Sequence, residues 1–217
     1  MHPLPMRRHR YLAVLALIPA LALQGCPAVV AGGGLMALSS AEDRRTTGTQ
    51  LDDSTIESRA ASRIAEKLGE RAHINVTSFN RAVLLTGEAW DEATRAEAEK
   101  ISAAVPTVRS VTNEVQVGGL SSIGSRTSDT AITANVKGRF INVKGLNPVH
   151  VKVVTEAGVV YLLGLVTEAE ADTATELART TGGVRKVVKV FEYCKSTDEQ
   201  CKPRPEPQPN PPKSPRV

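Results

Sequence analysis

The chain has 217 residues, 41% apolar and 23% charged, which suits a globular protein of one or two domains. Its formal net charge of +4 comes mostly from the N-terminal end, where residues 1–25 hold Arg7, Arg8 and Arg10 and no acid, leaving 24 basic and 23 acidic residues beyond. That near-neutral balance is less basic than nucleic-acid-binding chains usually are, and 3% aromatic residues offer little to stack on bases or sugars.

Arg7-Arg8-His9-Arg10 forms a positive n-region, and the apolar run from Tyr11 to Leu23 is too short to span a bilayer but suits a signal-peptide core. It ends in Leu23-Gln24-Gly25-Cys26, which resembles the lipobox of bacterial lipoproteins. The resemblance implies a signal peptide over residues 1–25 and lipidation of Cys26. With Pro27 rather than Asp next, it also implies passage to the outer membrane. Two or three acyl chains hold stably, because each buried CH₂ contributes about 0.8 kcal/mol. Residues 26–51, first apolar and glycine-rich and then polar, read as a lipidated flexible linker.

Two stretches then say nearly the same thing. Residues 74–87 and 151–164 align without a gap, placing Ile74 on Val151, Val76 on Val153, Val83 on Val160, Leu85 on Leu162 and Gly87 on Gly164. Alternation at period 2 on either side of a polar break reads as a β-hairpin written twice. The turns carry Asn80-Arg81 and Ala157-Gly158, residue types that tolerate positive φ. Gly87 and Gly164 read as sites of a sharp turn or of close approach by a helix.

The repeat extends on both sides. Ile56, Ala60 and Ile64 form a helical stripe, and Ile132, Val136 and Phe140 repeat it 76 positions later. Ser54 and Glu57 have capping-box spacing at the expected start of the first helix. Residues 91–104 and 168–181 are rich in Ala and Glu and predict helices, stopped by Pro106 and by Gly182-Gly183. A last strand follows in each copy, 108–117 and 184–191. The units therefore run 52–117 and 128–193 around a 118–127 linker. Each is an α+β unit of order α-β-β-α-β, a three-stranded sheet packed on two helices. Units so small are expected to pack against each other.

The pattern Val151, Val153, Gly158, Val160, Leu162, Gly164, Val166 and the closing Gly183-Val184-Arg185-Lys186-Val187 resemble the BON domain. The first copy departs from it at Arg81 and Thr107, where glycines would stand. Two such units behind a lipobox are similar to the dual-BON outer-membrane lipoproteins of the DolP type. That resemblance implies a lipid-anchored, non-enzymatic protein on the periplasmic face of the outer membrane. It would bind anionic phospholipid, maintain envelope integrity and gather at division sites. The first helix of the second unit would make the lipid contact, although Ala131 stands where the family often carries a bulky aromatic.

Charge points to the same helix. Residues 52–117 carry 8 basic and 11 acidic residues, whereas 128–193 carry 8 and 7. Arg126, Lys137, Arg139, Lys144 and Lys152 stand against Asp129 alone between 126 and 152. Basic side chains near an anionic bilayer contribute about 1 kcal/mol each. Lys137, Arg139 and Lys144 are therefore candidate phospholipid-binding residues, with Phe140 and Ile141 for apolar insertion; the alternative is a solvated basic face with Phe140 in the core.

The four histidines form no metal motif, and there is no nucleophile elbow, phosphate loop or other catalytic signature, so neither enzyme, metal nor cofactor is expected. Carboxylates such as Asp52, Asp53, Glu168 and Glu170 read as helix capping and helix N-terminal charge. Outside the cytoplasm Cys194 and Cys201 are expected to form a disulfide, two free thiols being the alternative. Residues 194–217 read as an extended Pro-rich tail. The competing function is a periplasmic scaffold docking on an outer-membrane assembly protein or a peptidoglycan-associated protein.

Overall fold

The computed structural model describes residues 43–119, 123–141 and 143–202. Cys26 and the Pro-rich stretch from Pro203 onward lie outside them.

The first repeat begins with helix α1 (Thr47–Leu68), capped by the Thr46 hydroxyl, which accepts from the Thr49 N–H. The helix thus starts inside the stretch that reads as linker, because Thr46 provides a better cap than the expected one. Ser54 and Glu57 lie mid-helix. The Ser54 hydroxyl donates to the Gln50 carbonyl, and Glu57 accepts from the Ser78 N–H on the neighbouring strand. Strands β1 (Ala72–Phe79) and β2 (Ala82–Ala89) pair antiparallel. Helix α2 (Glu92–Ala103), capped by Asp91, returns the chain to β3 (Ser110–Asn113) and β4 (Gln116–Val117), two halves of one strand parallel to β2.

The second repeat follows the same path. Helix α3 (Ile123–Ile141) begins within the expected 118–127 linker. Then come β5 (Val151–Glu156), β6 (Val159–Val166), helix α4 (Glu168–Arg179) and β7 (Lys186–Tyr193). Strand β6 is central, antiparallel to β5 and parallel to β7. Thr167 and Glu170 form a capping box at the start of α4.

Both hairpins turn through two residues of positive φ, Asn80 (52°) and Arg81 (66°), Ala157 (48°) and Gly158 (73°), as a type I′ connection requires. The hairpin glycines admit a backbone carbonyl rather than a helix. A Cβ on Gly87 would stand 2.0 Å from the His73 carbonyl oxygen, and one on Gly164 2.4 Å from that of His150.

Each repeat closes its own core. Ile56, Ala60 and Ile64 pack on Val83, Leu85 and Ile101 in the first, and Ile132, Val136 and Phe140 on Val160, Leu162 and Ala174 in the second. A third cluster joins the opposite sheet faces: Phe79 and Leu84 of the first repeat with Tyr161, Leu163 and Leu165 of the second. Strands β2 and β6 are consequently buried on both sides, which explains their nearly continuous apolar sequence.

Candidate functional site

Helix α3 is fixed at its N-terminal half by Asp129, whose carboxylate accepts the N–H groups of Ala157 and Gly158, both at 2.8 Å. Asp53 does the same for the first hairpin, accepting from Asn80 and Arg81 N–H and from the Ser78 hydroxyl. These carboxylates clamp turns rather than cap helices. The signal for them was the shared 76-residue offset, but their partners are distant in sequence.

The buried stripe of α3 includes Phe140, which is 1% exposed in the core of the second repeat. Phe140 is therefore a core residue and not one that meets a bilayer, because its helix position points it at the sheet. Arg139 is also committed: its guanidinium donates to the Leu177 carbonyl at 2.7 Å and to the Thr180 and Thr181 hydroxyls, satisfying the end of α4. Arg63, at the matching place in the first repeat, donates to the Ala104 carbonyl, so the role belongs to the fold. Lys152 pairs with Glu57 across the seam at 2.6 Å.

Lys137, Ile141 and Lys144 remain. Lys137 and Ile141 lie one turn apart on the outer face of α3, and Lys144 is exposed in the loop beyond. Ile141 is 71% exposed, and neither lysine makes a hydrogen bond or ion pair among the described residues.

The seam between the repeats is polar at its margins. Arg44 donates to Glu170 at 2.7 and 3.0 Å and to the Leu165 carbonyl, while Arg45 pairs with Asp53 and lies 3.9 Å over the Phe79 ring. Residues read as linker thus latch the second repeat to the start of α1. Burial pushes the Glu170 carboxyl up, but hydrogen bonds from His150, Arg44 and Thr167 outweigh it and hold the group far below the usual carboxylate range. Asn80 and Arg109 reach Glu192 on β7.

At one side of the seam a cleft of about 480 Å³ opens between the β1 edge and α3. His73 and Asn75 form one wall, Arg126, Asp129 and Lys137 the other, and Glu156 lies between them. The Glu156 carboxylate is 9% exposed and accepts from the Asn75 amide at 2.9 Å. Burial pushes its pKa above the ordinary value, with Asn75 and His73 opposing and the Glu88 and Asp129 charges adding.

Cys194 and Cys201 are joined by a disulfide, and Cys201 is buried in the cluster between the sheets. The chain from 194 to 202 is therefore part of the folded body rather than tail. Among the described residues, no His, Cys, Asp and Glu group is placed to hold a metal, and no helix is long and apolar enough to cross a membrane.

Comparison with known proteins matches the BON domain to residues 52–119 and again to 128–195. The chain belongs to the BON-domain family. Outer membrane lipoprotein DolP of Haemophilus influenzae is 36% identical over 173 residues, covering 79% of this chain and 90% of that protein, so the chain falls among the dual-BON outer-membrane lipoproteins. The 21 kDa hemolysin of Actinobacillus pleuropneumoniae is 37% identical over 153 residues, 70% of this chain and 79% of the relative. Osmotically-inducible protein Y of Escherichia coli K12 is 30% identical over 144 residues, 64% and 72% of the two chains. The structural departures of the first BON domain, Arg81 and Thr107 at positive φ, fall at the positions where the second carries Gly158 and Gly183.

Proposed function

We propose that this outer-membrane lipoprotein, held to the periplasmic face by acylated Cys26, binds anionic phospholipid through the end of α3 and helps maintain the barrier without catalysing a reaction. The observation that carries the reading is Ile141, exposed on the helix surface between two lysines that have no partner among the described residues. An apolar side chain flanked by free ammonium groups suits the boundary between headgroups and acyl chains. The contact set is Lys137, Ile141 and Lys144. Phe140 and Arg139 support the helix from behind.

The chain from residue 40 onward, free of acyl groups, should float with vesicles containing phosphatidylglycerol and not with phosphatidylcholine alone. Lys137→Glu/Lys144→Glu should abolish flotation while leaving the fold intact. Flotation that survives the double substitution would overturn this contact set.

The scaffold reading has one observation of its own. Trp90 is 61% exposed at the end of β2 beside the half-exposed Val117 of β4, on the first BON domain. Capture of an envelope protein lost in Trp90→Ala but kept in Lys137→Glu/Lys144→Glu would favour it.

A further inference from the structure

The seam cleft carries a feature that an anionic bilayer does not use: both signs of charge, unspent. Arg126 and Lys137 on its α3 wall make no side-chain hydrogen bond or ion pair among the described residues. Opposite them, Glu156 commits one carboxylate oxygen to Asn75 and leaves Oε1 without a partner among the described residues. Asp129, which also lines the cleft, gives one oxygen to each of the two turn N–H groups. The free cations and the free carboxylate oxygen share one cleft and do not neutralise each other.

Behind the cleft the field is negative. Glu88 pairs with His73 in the β1–β2 register, so both side chains leave the same sheet face toward the second BON domain. Glu88 is buried, and its Oε2 has no hydrogen-bond partner among the described residues; the neighbouring Thr86 hydroxyl is in the same state. Glu88 does not line the cleft, but its charge acts on Glu156 and adds to the pull on a cation placed there. Two cations at the mouth, unpaired among the described residues, favour an anion with several acceptor oxygens.

We propose that this cleft binds a phosphoethanolamine group, with the phosphate at the Arg126–Lys137 mouth and the primary ammonium on Glu156. A quaternary ammonium lacks the N–H donors that Glu156 needs, and a glycerol phosphate places no positive charge near the two carboxylates. The burial that pushes Glu156 toward its neutral form is offset once an ammonium sits beside it. A free phosphomonoester and a phospholipid headgroup present the same atoms, and the two arms of the test tell them apart. The site is distinct from the bilayer contact above except at Lys137, which belongs to both.

The test uses the full chain in dodecyl maltoside micelles, titrated calorimetrically with O-phosphoethanolamine, O-phosphocholine and glycerol phosphate. A second arm places the chain with nanodiscs of phosphatidylethanolamine or phosphatidylcholine and follows hydrogen exchange over 72–76 and 126–137. The expected result is selective binding of the ethanolamine compound or selective protection by its lipid, the first identifying a free ligand and the second a bilayer one. Glu156→Gln, which keeps an acceptor for Asn75, should lower affinity about ten-fold, and Lys137→Ala about five-fold. Arg59→Glu, outside both sites, should leave it unchanged, and flotation of the same variants with phosphatidylglycerol vesicles separates failure here from failure of the bilayer contact. Equal response to all three compounds, indifference to Glu156→Gln, or no response in either arm would overturn the proposal.

Discussion

The two BON domains meet the same backbone demands with different residues. At the hairpin and before the last strand, the second uses Gly158 and Gly183, while the first forces Arg81 (φ 66°) and Thr107 (φ 72°) into the left-handed region. The first offsets that strain with more side-chain bonds. Asp53 accepts from two turn N–H groups, the Ser78 hydroxyl and Arg45, and Arg81 pairs with Asp52. The second holds its turn with Asp129 and with Arg185, which donates to the Ala157 carbonyl, and leaves Lys137 and Lys144 unpaired among the described residues. Both domains leave exposed cations unpaired among the described residues, Arg59 and Lys67 in the first and Lys137 and Lys144 in the second, and what distinguishes the second pair is the exposed Ile141 between them.

Neighbouring residues on α3 give the largest expected contrast. Phe140→Ala should lower unfolding free energy by about 3–5 kcal/mol in urea melts. Ile141→Ala should change it by less than about 0.5 kcal/mol and weaken vesicle binding instead. Equal stability losses would erase the division between core and contact surface.

The turn clamps come next. Asp53→Ala should cost about 3 kcal/mol and Asp129→Ala about 2, because charged hydrogen bonds to more buried donors are lost in the first domain. Urea denaturation of the two variants would measure the asymmetry directly. A larger loss at Asp129 would reverse the comparison.

Exchanging the strained residue is a smaller effect of opposite sign in the two copies. Thr107→Gly should stabilise the first domain by up to about 1 kcal/mol, since Thr107 is exposed and only its backbone is strained. Gly183→Thr should destabilise the second by at least about 1 kcal/mol, because a Cβ there would also stand 3.1 Å from Ile132. Thermal melts would show the two shifts.

Two carboxylates of the seam should respond to pH in opposite directions. Glu170 is depressed, so its contribution is fully present above the ordinary carboxylate pKa and is lost as pH falls below it. Glu156 is raised, so its charged form opposes folding and that penalty is relieved as pH falls through its folded value. Glu170→Gln should therefore flatten the acid side of the stability–pH curve, while Glu156→Gln should raise stability at neutral pH and steepen the acid-side loss. The same slope in both variants would contradict the latch at Arg44.

Much of this was legible in the sequence, because each repeat is dominated by local patterns. The period-2 runs place the strands, the Asn80-Arg81 and Ala157-Gly158 pairs place the turns, and the Ile132, Val136, Phe140 stripe already points Phe140 inward. What was not legible depends on distant partners. Arg139 looks like a surface cation until the end of α4 is brought beside it, and Arg44 looks like linker until Glu170 is in place. Thr46 gives the weaker local signal, because Ser54 and Glu57 have capping-box spacing. The double-sided burial of β6 did leave a trace, since Val159–Val166 is apolar on both faces rather than alternating.

The most direct test of the division of labour is vesicle flotation of the acyl-free chain with Lys137→Glu/Lys144→Glu beside its first-domain counterpart Arg59→Glu/Lys67→Glu, each pair lying on exposed positions. The account predicts salt-sensitive flotation with phosphatidylglycerol that the second-domain pair abolishes and the first-domain pair leaves nearly intact. Equal loss from both pairs would mean that general charge, and not the end of α3, holds the protein to the membrane.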